Sequence, residues 1–90
     1  MQIARRLTIS GHVQGVGFRW FTVDAARREG ATGWVRNLPD GSVEAFVEGE
    51  IESVTRVERA LRRGPSRARV EHVSVIDEEA SGAYGSFSIA

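Results

Sequence analysis

The hydrophobic pattern of this chain changes period across one short stretch, Gly11-His12-Val13-Gln14-Gly15-Val16-Gly17-Phe18-Arg19, and that change limits what can be built around it. Before it, residues 3 to 10 alternate, with Ile3, Arg5, Leu7 and Ile9 on one side and Ala4, Arg6, Thr8 and Ser10 on the other, which predicts a strand. After it, Trp20 to Glu29 reads as a helix, its apolar stripe set by Phe18, Phe21 and Ala25 at helical spacing. Glycines at 11, 15 and 17 let the backbone turn sharply, so that successive N–H groups can point into one concavity. The helix start adds unpaired N–H groups and its positive dipole end. Arg19 adds a planar fork of donors that can hold two oxygens of one anion.

Spacing alone leaves two readings open: a small-anion cradle over Gln14, Gly15, Val16, Gly17, Phe18 and Arg19, or a tight strand-to-helix turn followed by a surface arginine. A nucleotide fingerprint is not met. Trp20 stands where the dinucleotide motif needs its third glycine, and the Walker motif needs a lysine, which the sequence lacks.

Downstream, Arg27, Arg28 and Glu29 close the first helix on its solvent side, and Gly30 suits its C-terminal cap. Thr32 to Asn37 reads as a second strand and Val43 to Glu48 as a third. Leu38-Pro39-Asp40-Gly41 between them has strong turn chemistry, so they predict an antiparallel hairpin. Ile51, Val54, Val57 and Leu61 mark the buried face of a second helix. Glu52, Arg56, Arg59, Arg62 and Arg63 form its solvated side, and Gly64-Pro65 ends it. Val70, Val73 and Val75 belong to a fourth strand, Asp77 to Gly85 reads as a mobile loop, and Phe87 and Ile89 as a short closing strand. The order predicts a single domain over residues 1–90, an α+β sandwich of ferredoxin-like βαββαβ type. Two helices lie on one face of a mainly antiparallel sheet, with a short extra strand at the C-terminal end.

Composition removes whole classes of chemistry. No cysteine is present, which excludes a disulfide, a thiolate nucleophile and a zinc–sulfur site. Lysine is absent too, which excludes Schiff-base catalysis. His12 and His72 are the only imidazoles, so no histidine-rich metal site is expected and both read as structural or exposed. Formal charge balances at zero, which argues against a broad nucleic-acid or acidic-membrane surface while allowing a local basic pocket. Neither a membrane span nor the run of a signal peptide is visible, which predicts a soluble, cytoplasmic chain; a monomer is expected.

Gly11 to Arg19 meets the loop signature G-x-V-Q-G-V-x-F-R of the acylphosphatases at every position. Their second signature, an aromatic strand ending in Asn before a glycine turn, is met by Gly33-Trp34-Val35-Arg36-Asn37, then Gly41, Val43 and Gly49. The chain resembles this family over nearly its whole length. The resemblance implies a ferredoxin-like fold and hydrolysis of the carboxyl–phosphate bond of small acyl phosphates, releasing inorganic phosphate, with no metal or organic cofactor. By matching position it implies that Arg19 and the main-chain N–H groups from Gln14 to Arg19 bind the phosphoryl group. It also implies that Asn37 positions the attacking water, and that a phosphate oxygen of the substrate takes the proton.

The remaining candidates have plainer readings. Gln14 suits backbone geometry or a structural side-chain bond, and Trp20 and Trp34 read as packing residues. The arginines of the second helix read as a solvated face paired with glutamates. Two other functions compete. RNA-recognition modules share this element order, but they stack bases on aromatics of the first and third strands, where this chain has only Phe46. A regulatory module that binds phosphate or acyl phosphate without turnover would need Arg19 and the loop but not Asn37.

Overall fold

A computed structural model describes residues 1–90. The elements run β1 (Gln2–His12), α1 (Phe18–Arg28), β2 (Thr32–Asn37), β3 (Val43–Glu50), α2 (Ile51–Arg63), β4 (Arg69–Glu78) and β5 (Phe87–Ile89). The strands form one five-stranded sheet in the order β4-β1-β3-β2-β5. Every pairing is antiparallel except that of β2 with β5. Both helices cover one face, as the ferredoxin-like reading requires.

The core lies between that face and the helices. Leu7, Ile9, Val35 and Val47 of the sheet meet Phe18 and Val23 of α1 and Val54, Val57 and Leu61 of α2, all buried. Phe87 of β5 is fully buried in the same cluster, so the closing strand contributes to the core as well as to the edge. Arg5 also points to the helix side, where its guanidinium bonds Thr55 at 3.3 Å and Glu58 at 3.0 Å and ties β1 to α2.

Three boundaries differ from the expectation. β1 continues through Gly11 and His12 instead of ending at Ser10, because the chain shifts register against β4 between Ser10 and Gly11 and then resumes pairing. Gly11 has a φ of +126°, and a Cβ there would lie 2.2 Å from the carbonyl oxygen of Arg69, so only glycine fits. α1 begins at Phe18 instead of Trp20 and ends at Arg28. Asp77 and Glu78 belong to β4.

The rest of the segment read as a mobile loop is tied down across the sheet face that carries no helix. There the buried carboxylate of Glu48 accepts hydrogen bonds from the Ser81 hydroxyl at 2.8 Å and from the Gly82 N–H. Tyr84 packs on Phe46, with ring centroids 5.7 Å apart, and its hydroxyl accepts from the Trp34 indole at 3.2 Å. Local composition gave no sign of this, since Glu48 lies far away in sequence.

Candidate active site

The loop between β1 and α1 is held by its apolar residues. Val13, Val16 and Phe18 are buried, while Gly15 and Gly17 are exposed. Gly15 and Gly17 have φ values of +74° and +79°, in the left-handed region, and a Cβ at either would meet nothing within 4 Å. The glycines are therefore needed for conformation, not for space.

The turn leaves its main-chain donors free. None of the N–H groups of Gly15, Val16, Gly17, Phe18 and Arg19 donates to another group of the chain; the first bond of the helix runs from Phe21 N–H to Gly17 O at 3.0 Å. α1 has no side-chain cap and no acidic residue in its first turn. A helix start normally recruits one or both to answer its orphan donors and dipole. Here the positive end is left open.

Arg19 sits on this open turn. At about 100° per residue it shares a stripe with Thr22, Val23 and Ala26, all of them buried, yet Arg19 is exposed. That stripe faces the core further along α1, so Arg19 overhangs the end of the core beside the loop. Its guanidinium forms no ion pair, a state it shares with Arg27, Arg28, Arg59, Arg63, Arg67 and Arg69, but it alone of these stands on the open turn.

Asn37 is the last residue of β2, half-buried, and in alternation it shares the helix-side face with Val35. Val43 of β3 pairs with Asn37 on one side and Ile9 of β1 on the other, so Asn37 stands at the sheet end from which β1 leads into the loop. Gln14 makes the connection direct. Its side-chain amide donates to the carbonyls of Leu38 at 2.8 Å and Ser42 at 2.9 Å, joining the loop to the turn that follows Asn37. Both amide protons are thereby engaged, which leaves the main-chain N–H as the donor Gln14 can offer an anion.

The turn itself is rigid. Leu38 N–H donates to Ser42 O at 2.8 Å, and Asp40 accepts from both the N–H and the hydroxyl of Ser42. These bonds from the Ser42 hydroxyl and N–H hold the Asp40 carboxyl below its ordinary range. Ser42 was not singled out from the sequence. The signal available was Asp-Gly-Ser, an Asx-turn composition, which points to a turn but not to a second anchor for Gln14.

No three His, Asp or Glu side chains converge to hold a metal ion. His12 and His72 are both exposed. The one sizeable hollow, about 330 Å³, lies along α2 between Ile51, Thr55 and Arg59 and shares no residue with the loop. A small tetrahedral anion needs converging donors more than depth. No helix is long and apolar enough to cross a membrane.

Fold and loop together define a ferredoxin-like α/β sandwich whose first strand-to-helix turn presents free main-chain donors beside an unpaired arginine. The family model for acylphosphatase matches residues 5–89. An acylphosphatase of Rubrobacter xylanophilus is 51% identical over 84 residues, which cover 93% of this chain and 76% of the relative. One from Anaeromyxobacter dehalogenans is 48% identical over 88 residues, covering 98% and 95% of the two. The crystal structure of acylphosphatase from Bacillus subtilis superposes with a TM-score of 0.94 at 33% identity, covering 98% of each chain. The chain belongs to the acylphosphatase family, and it is an enzyme of that family.

Proposed function

We propose that the loop from Gln14 to Arg19, together with Asn37, is the site at which this chain hydrolyses small acyl phosphates to a carboxylate and inorganic phosphate. The observation that carries this reading is the set of unanswered N–H groups from Gly15 to Arg19, beside an arginine that nothing in the chain neutralises. Donors fixed before the substrate arrives need no rearrangement as charge builds on the phosphoryl oxygens.

The reaction suits that inventory. Phosphoryl transfer passes through a loose transition state with its charge on the equatorial oxygens, so positioning and electrostatic complementarity can supply most of the rate. Arg19 grips two oxygens and the loop amides the third. A water that donates to the side-chain carbonyl oxygen of Asn37 is aimed by it, and its oxygen forms the new bond to phosphorus. The bond from phosphorus to the carboxyl oxygen breaks, and its electron pair leaves with the carboxylate. That leaving group is stable as an anion at neutral pH and needs no protein acid. The water proton passes to a phosphoryl oxygen of the substrate. Asn37 cannot take it, because its amide is neutral, but its carbonyl oxygen accepts one water hydrogen bond while the opposite lone pair of that water faces phosphorus.

The test is release of inorganic phosphate from a synthetic aromatic acyl phosphate by the purified chain, with a phosphate monoester as control. Turnover of the first and not the second is expected, because a monoester's alkoxide leaving group requires an acid that this loop lacks. Hydrolysis of both at similar rates, or of neither, would remove the assignment.

A further inference from the structure

We propose that the indole of Trp20 is the wall against which the acyl group lies, and that it gives this chain a preference for aromatic acyl phosphates over small alkyl ones. The inference rests on the hydrolase reading above. Trp20 was expected to be a packing residue, as Trp34 is on Phe46, but it is 64% exposed and forms no aromatic pair or hydrogen bond. Exposure of one apolar residue is ordinary in itself, and its position is what matters.

Trp20 lies on the solvent stripe of α1 with Asp24 and Arg27, one residue after Arg19. Side chains of an α-helix tilt toward its N-terminus, so a residue covers the turn before its own Cα. That tilt, with the exposure of Trp20 in the first turn, assigns the indole to the side of the Gly17 turn next to the free donors. The other exposed large apolar residues lie elsewhere: Met1 and Ile51 are joined by a main-chain bond at the opposite sheet end, Ile76 is on β4, and Tyr84 is on the helix-free face.

In-line displacement supplies the direction. The leaving carboxylate departs on the side of phosphorus opposite the attacking water. Asn37 lies on the sheet side of the loop, so the acyl group points away from the sheet, past the outer side of the first turn of α1. Trp20 stands there. An aromatic acyl group can stack on the indole, whereas an acetyl group covers little of it.

The experiment compares two non-hydrolysable probes, benzoylphosphonate and acetylphosphonate, by calorimetric titration, alongside kinetics on benzoyl and acetyl phosphate. Wild type is expected to bind the aromatic probe about tenfold more tightly. Trp20→Ala closes that gap and lowers the benzoyl-to-acetyl ratio of kcat/KM by about the same factor through KM, while Trp20→Phe retains most of it. A gap that survives Trp20→Ala overturns the inference, as does one that closes only in step with lost affinity for inorganic phosphate, which marks a damaged loop. Wild type that binds the probes with the expected gap but turns over neither substrate would sink the hydrolase reading and leave the acyl wall standing.

Discussion

The side-chain amide of Gln14 donates to the carbonyl of Leu38 at 2.8 Å, which makes the loop between β1 and α1 and the residue after Asn37 parts of one unit. Its second bond, to Ser42, fixes the far side of the same turn. Through these two bonds the loop and the end of β2 keep their spacing. Replacing Gln14 by Ala should cost about 1–3 kcal/mol of stability, since each carbonyl keeps one other donor and is not left bare. The turnover number should fall more than phosphate inhibition changes. Denaturant unfolding and product-inhibition kinetics measure the two effects, and unaltered kcat would show that the bridge does not position Asn37.

Arg19 and Asn37 should separate binding from chemistry. In Arg19→Ala, phosphate inhibition weakens and kcat falls about 10²–10³-fold, as for loss of a preorganised donor. In Asn37→Ala, phosphate inhibition survives while turnover drops by about a hundredfold or more, because the water is no longer aimed. Steady-state kinetics with inorganic phosphate as inhibitor distinguish the two. Full activity of Asn37→Ala would remove its role in aiming the water.

Gly17→Ala should destabilise by about 1–2 kcal/mol through its left-handed backbone alone, with no clash. Phosphate affinity should fall with it as the turn opens. Gly85→Ala is the control, being an exposed glycine with neither a positive φ nor a neighbour within 4 Å, and should stay within about 0.5 kcal/mol of wild type. Equal stability of the two variants would contradict the assigned strain.

Glu48 sets an acid limit on stability. Burial pushes its carboxyl up, but the N–H groups of Gly82 and Ser81 and the Ser81 hydroxyl outweigh burial and hold it below the usual range. A group depressed in the folded state stabilises fully above its unfolded pKa, and that contribution drains away as pH falls through the folded value. The Tm of wild type should therefore decline below about pH 4.5, with a slope that Glu48→Gln flattens. Parallel Tm curves for the two proteins would show that the 81–84 segment is held by Tyr84 instead.

Chelator should leave the rate of acyl phosphate hydrolysis unchanged, since charge is met by guanidinium and amide donors and no three ligand side chains converge. A loss in chelator that magnesium restores would require a metal brought in by the substrate.

The parts legible in sequence were those with short-range causes. Hydrophobic period placed the two helices and the hairpin, and the two signatures singled out Arg19 at the end of the loop and Asn37 at the end of β2. What escaped came from distant partners. Gly11 looked like the first glycine of the loop, but its positive φ belongs to a strand irregularity where the Arg69 carbonyl leaves no room for a side chain. Asp77 to Gly85 looked mobile from its composition, and only the alternation of β3 brings the Glu48 carboxylate up beneath it. Trp20 was assigned to packing because large aromatics usually are buried, a tendency that fails where the first turn of a helix overhangs the end of the core.

The last strand also protects an edge. β2 receives its outer neighbour only from Phe87–Ile89, and Ala90 N–H closes on Val35 O at 2.9 Å. Without that partner β2 would be a bare edge strand of the sheet, open to pairing with another chain. Closing the edge also seats Phe87 in the interior beside Gly33, so one three-residue strand both caps the sheet and completes its core.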